Sequence, residues 1–328
     1  MNSRFLPVLA IAVLLWTSVT NAEESSSRSG SATTGDGTRK ASVAVKRLLL
    51  IGGPYDYHPK GTHQYMAGMH IIAKLLQNVE GLDTRITNSG EAWPRSEGPG
   101  KELLSEEAWP ANFDEAWPEG PGMIASADGI VLFREQGARW MQQDPARATA
   151  LESLGKRGGG CVALHFGMGT TDAKYIDRFK ALFGGCFGGS DRLHTEQNFH
   201  ANLVVAAPRH PICRGISDFE AVDEFYYEIK FLPLPARVTP LIQAAMSAPP
   251  ATQPNNEASM ETIAWAWQRN DGGRSFGFTG LHVHDNWRLP EYRRLVAQSI
   301  LWTMKMPIPE GGIDVDVPEE VFELKSIP

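Results

Sequence analysis

The chain reads as an α/β protein with a mainly parallel sheet flanked by helices. Three observations lead there. Continuous apolar runs closed by glycine recur, as at Arg47-Leu48-Leu49-Leu50-Ile51-Gly52-Gly53. Such runs mark strands buried on both faces. Amphipathic helical patterns separate them. Strand and helix alternate along the chain, which implies parallel βαβ units.

The first buried strand is followed by a helix pattern from Thr62 to Leu76, with Met66, Met69, Ile72, Leu75 and Leu76 on one side. A short strand covers Asp83 to Thr87. The next strand is Gly129-Ile130-Val131-Leu132-Phe133, followed by a helix from Pro145 to Arg157. Gly160 to Leu164 reads as a strand and Thr171 to Phe183 as a helix. Further strands are predicted at 201–206, 238–242, 262–267 and 275–280, and a last helix from Pro290 to Met304. Between residues 88 and 122, Glu-Ala-Trp-Pro occurs at Glu91, Glu107 and Glu115. Its irregular spacing excludes a solenoid repeat, and its proline and glycine content predicts an irregular surface excursion.

The termini read differently. Arg4, the apolar run Phe5 to Trp16 and the small residues up to Ala22 have the layout of a secretory signal over residues 1–22. That run is too short for a permanent membrane anchor. Export to the periplasm or the outside of the cell follows, with no membrane span after cleavage. Residues 23–44, rich in Ser, Gly and Thr, read as a disordered linker. The ordered domain spans 45–306, and residues 307–328 form an extended C-terminal arm.

A net charge of −7 argues against a nucleic-acid partner. Three cysteines, Cys161, Cys186 and Cys213, show no CxxC spacing and read as buried thiols with room for one disulfide. No GxGxxG follows the first strand, so no dinucleotide is expected.

In an open parallel sheet, ligands bind beyond the carboxyl ends of the strands. Five of the nine histidines follow such ends: His58 and His63 after the first strand, His165 after the 160–164 strand, His282 and His284 after the 275–280 strand. Tyr57, Glu135 and Gln136 also follow strand ends. The stretch from Gly158 to Met168 has the shape of a nucleophile elbow. The elbow position holds His165, which cannot form a thioester, and Cys161 lies four residues earlier inside the strand. Glutaminase chemistry is therefore not expected.

The order of several short pieces carries a resemblance: Gly61-Thr62-His63, Ala163-Leu164-His165, His200, His210-Pro211-Ile212 with Gly215-Ile216, Asp223-Glu224-Phe225-Tyr226, and His284-Asp285-Asn286-Trp287. Over residues 45–306 the chain resembles the ThuA-like (trehalose utilisation) family of the class I glutamine amidotransferase-like superfamily. That resemblance implies a flavodoxin-like three-layer fold and an enzyme of sugar or glycoside metabolism, acting on a trehalose-type or keto-sugar substrate. It departs from the family at Val283, where members often have glycine.

The expected catalytic residues are His165, Glu224, His284 and Asp285. Tyr57, His58, Glu135, Gln136, Tyr226 and Trp287 are expected to meet a sugar or glycoside. Neutral imidazoles with a carboxylate suit a divalent metal such as Zn²⁺, held by His63, His165 and His284. In an extended His282-Val283-His284 segment both rings point to one side. Metal-free acid–base work by His and Glu fits the same residues, and a non-catalytic carbohydrate-binding or assembly protein on the same scaffold is the alternative.

Overall fold

The computed structural model describes residues 44–54, 58–88, 120–247 and 258–324. All lie in one unit, Val43–Pro328. The Glu-Ala-Trp-Pro motifs, the signal-like segment and nearly all of the linker lie outside the described residues.

In chain order the elements are β1 (Lys46–Gly52), α1 (Tyr65–Leu76), β2 (Leu82–Asn88), α2 (Gly120–Ser126), β3 (Gly129–Phe133), α3 (Gly137–Gln143), α4 (Pro145–Lys156) and β4 (Gly160–Leu164). Then come β5 (Gly169–Thr170), α5 (Ile176–Phe183), β6 (Gly185–Gly188), β7 (Leu193–His194), β8 (Phe199–Val205), β9 (Phe219–Asp223), β10 (Tyr226–Tyr227) and β11 (Lys230–Phe231). The chain closes with β12 (Thr239–Ser247), β13 (Ala258–Gln268), β14 (Arg274–Phe278) and α6 (Pro290–Thr303).

Nine strands form one sheet in the order β2-β1-β3-β4-β14-β13-β12-β8-β9. Pairings from β2 to β14 are parallel and those from β14 to β9 antiparallel. The parallel half has the flavodoxin-like order. Two small sheets, β10-β7 and β11-β6-β5, lie outside it.

Period-two alternation splits the core into two layers. Leu48 and Leu50 of β1, Val131 of β3, Val162 of β4 and Phe276 of β14 pack with α1 and α6. Leu49, Ile51, Ile130, Leu132 and Ala163 face the other way, onto a cluster with residues of α2 to α5. The continuous apolar runs follow from this: both faces are covered.

Two predicted helices start late for identifiable reasons. Thr62 is drawn into an antiparallel bridge with Val283, and His63 takes a left-handed φ of 52°. Helix α1 therefore begins at Tyr65. The Asp172 carboxylate accepts from the Lys174 amide and starts a short 3-10 turn, so α5 begins at Ile176. Gly184, at φ 84°, ends it.

Residues beyond α6 run largely without regular structure and lie on the body. Val315 and Phe322 are buried. Arg293 donates to the Val315 carbonyl, and Arg288 pairs with Glu319 and Glu323. No helix among the described residues is long and apolar enough to cross a membrane. Cys161, Cys186 and Cys213 are free thiols, and burial pushes all three up.

Candidate functional site: a buried histidine cluster

The carboxyl ends of β1, β4 and β14 deliver three imidazoles to one point. His165 follows β4 at the elbow, with φ 47°, and opens a 3-10 turn to Met168. A left-handed φ is costly for a residue with a β-carbon and persists only where surroundings enforce it. The enforcement is close packing. A side chain at Gly167 would run into the Leu132 carbonyl, and one at Gly137 into the Gly167 carbonyl.

His63 and His282 are brought together by pairing. The bridge between Thr62 and Val283 sets the register. The His63 amide donates to the His282 carbonyl at 3.0 Å, and the His284 amide donates to Gly61 at 2.8 Å. His282 is therefore the cross-strand neighbour of His63, while His284 lies opposite a glycine.

The nitrogens converge tightly. His63 Nε2 lies 3.0 Å from His165 Nε2, and His282 Nδ1 lies 3.3 Å from it. One nitrogen from each of the three lies within 4.8 Å of the others, and all three residues are buried. His165 Nδ1 is 2.9 Å from the Thr279 carbonyl, which can only accept, so Nδ1 carries the proton. The Nε2 lone pair then faces His63, His282 and the Tyr226 hydroxyl, 2.9 Å away. Burial first, and the adjacent His63 and His282 next, hold the His165 imidazole well below the usual histidine value. Tyr65 Oη meets His63 Nδ1 at 2.9 Å, and the His58 ring centroid lies 3.7 Å from that of His63.

Two adjacent carboxylates border the cluster. Glu224 Oε1 is 3.9 Å from His282 Nδ1, and Oε2 is 3.6 Å from Nδ1 of the exposed His194. Burial raises the Glu224 carboxyl above the ordinary range, against His194 and His58. Asp223 is fully buried and accepts four hydrogen bonds. Burial pushes it up to about 7 against those donors, which favour the ionised form.

Of the residues singled out in the sequence, His58, His63, His165, Glu224 and Tyr226 come together. Tyr57 lies outside the described residues. Five make their contacts elsewhere. His284 turns away: its Nε2 donates to the Phe322 carbonyl at 3.0 Å, and the 3-10 turn it opens ends the extended geometry that would align it with His282. Asp285 is exposed and pairs with Arg288. Trp287 is 1% exposed and packs in the core. Gln136 donates to Glu135 and accepts from Thr171, so this pair stitches the exit of β3 to the segment after β5. The sequence pattern places His282 among the strand-end histidines but does not choose it over His284, and it does not choose Asp223 beside Glu224. Their signal was the His-x-His pair and the acidic pair before Phe225, but choosing within each pair requires the non-local register.

Fold and elbow together define an amidotransferase-like α/β protein with histidine in the nucleophile's place. The chain belongs to the ThuA family, described as trehalose utilisation, whose model matches residues 116–303, more than half of the chain. His63 lies outside that match and joins it through the pairing with His282. Among solved structures, a protein described as ThuA-like from Bacteroides uniformis ATCC 8492 is similar, with a TM-score of 0.53 and 15% identity over 82% of this chain and 95% of that one. The glutaminase domain of Trypanosoma brucei CTPS, with bound acivicin, matches at a TM-score of 0.38 and 10% identity, over 83% of this chain and 99% of that domain. No curated protein matches the chain.

Proposed function

We propose that the protein is an exported enzyme of sugar or glycoside metabolism, working through a histidine–carboxylate centre that holds a divalent ion such as Zn²⁺. The observation that carries this is the convergence of His63, His165 and His282 from three strand ends, with the His165 lone pair aimed at the centre. The donors fit such an ion. A tetrahedral ion with bonds of about 2.0–2.1 Å needs nitrogens roughly 3.3 Å apart, and His63 Nε2 and His282 Nδ1 lie 3.0 and 3.3 Å from His165 Nε2. A ligating histidine commonly donates its second N–H to a backbone carbonyl, as His165 does to Thr279.

His63 Nε2, His165 Nε2 and His282 Nδ1 would hold the ion. Its contribution would be to polarise a sugar carbonyl or hydroxyl. Glu224, raised by its burial, would hold or take the proton that moves. The Tyr226 hydroxyl and His194 would orient sugar hydroxyls. With imidazole rather than thiol at the elbow, glutaminase chemistry has no nucleophile there.

Metal analysis of purified protein, with a turnover screen on disaccharides and keto-sugars, tests this. Near-stoichiometric metal and metal-dependent turnover support it. Sugar binding without turnover or metal would favour a carbohydrate-binding protein. Export with cleavage near Ala22 rests on the signal-like residues 1–22: protein found only inside the cell would overturn export, and exported protein that retains Met1 would overturn the cleavage.

A further inference from the structure

One carboxylate holds both shoulders of the turn that presents His282. Asp223 ends β9 and is fully buried. Its Oδ2 accepts from the Leu281 amide at 2.6 Å, and its Oδ1 from the Val283 amide at 2.9 Å. These amides flank His282. Oδ1 also accepts from the Glu224 amide at 3.0 Å, and Oδ2 from the Tyr292 hydroxyl of α6 at 3.1 Å. Leu281 stands at φ 78°, a left-handed conformation that a leucine adopts only under constraint. The preceding Gly280 leaves room for the carboxylate: a β-carbon there would sit 3.0 Å from Asp223 Oδ2 and press on Phe278.

We infer that Asp223 is the positioning residue of the centre, fixing His282 against His165 and orienting Glu224. The inference rests on the proposed metal reading for its consequence but on hydrogen-bond geometry for its content. A carboxylate offers two acceptor oxygens and no donor, which suits four converging donors. Asparagine, of almost the same shape, offers one oxygen and sets an NH₂ against a backbone N–H. Asp223→Asn is therefore a disruptive change at this site despite its small size.

The test compares full-length wild type, Asp223→Asn and Tyr292→Phe by Zn²⁺ titration and by amide hydrogen exchange of the metal-free proteins. Asp223→Asn is expected to weaken Zn²⁺ about 10–100-fold, as loss of an orienting partner does. It is also expected to speed exchange at Leu281 and Val283 beyond any change in β4 or α6. Unchanged Zn²⁺ affinity with no selective exchange at those amides would overturn the inference. Should wild type take up no Zn²⁺, the metal reading fails, and exchange alone decides the role of Asp223. Should Asp223→Asn not fold, Tyr292→Phe decides. It removes one donor from Oδ2 and is expected to speed exchange selectively at Leu281, whose amide shares that oxygen. Exchange at Leu281 that stays as in wild type overturns the clamp.

Discussion

Strands β4 and β14 carry a buried polar group at each end, and the two are built on opposite terms. At the amino end lies Arg269, 3% exposed. Its Nε donates to Asp271, its Nη1 to the Arg274 carbonyl and Ser275 Oγ, and its Nη2 to the carbonyls of Gly155 and Gly159. All five N–H groups of the guanidinium are matched. At the carboxyl end, His165 turns a single lone pair toward His63, His282 and Tyr226. One network closes on itself and holds the sheet together. The other gathers three possible partners around one imidazole lone pair. Burial alone therefore does not separate structure from function; the match of donors to acceptors does.

The contrast can be broken by substitution. His165→Ala should lower turnover by about 10²–10⁴ and remove bound metal, while the melting temperature stays near that of wild type. His165→Gln should behave likewise, since its amide cannot exchange a proton at neutral pH. Variants that melt far lower and keep their metal would place His165 with the structural groups. Arg269→Met should do the reverse. It leaves several buried acceptors unmatched, each costing about 1–3 kcal/mol, so denaturant unfolding should show a large loss while metal content stays unchanged.

Legibility in the sequence followed the same division. Strands β1, β3 and β4 could be read because covered faces demand continuous apolar residues, as in Gly129–Phe133. The elbow at His165 could be read from glycines that local packing requires. His282 could not be told from His284, because the choice depends on Thr62 pairing with Val283 more than two hundred residues away. Asp223 resembles any acidic residue until four partners from three segments are seen. Trp287 reads in sequence as a residue that would meet a sugar, and only packing shows it in the core.

Acid should sharpen the comparison away from the cluster. Burial lowers His70 to about 4 and His210 to about 4. His210 Nδ1 accepts from the Ile212 amide, which requires the unprotonated ring. Unfolded histidines bind protons near 6.5, so between about 6.5 and 4 the unfolded state holds more protons than the folded one. Stability is then fully present above about 6.5 and is lost as pH falls toward 4. Melting temperatures across that window should fall, and less steeply in His70→Gln and His210→Gln. A flat profile would contradict both assignments. The smallest effect belongs to Cys161→Ala, about 1 kcal/mol from lost packing in β4, with turnover retained. Loss of turnover in that variant at normal stability would move the nucleophile back to the thiol.

The central claim is that His282, and not His284, completes the centre with His63 and His165. The most direct measurement is the Zn²⁺ content and affinity of His282→Ala beside His284→Ala, each as folded full-length protein. His282→Ala is expected to lose the metal and His284→Ala to bind it as wild type does, with only a lower melting temperature from the lost Phe322 contact. Metal retained by His282→Ala and lost by His284→Ala would contradict it.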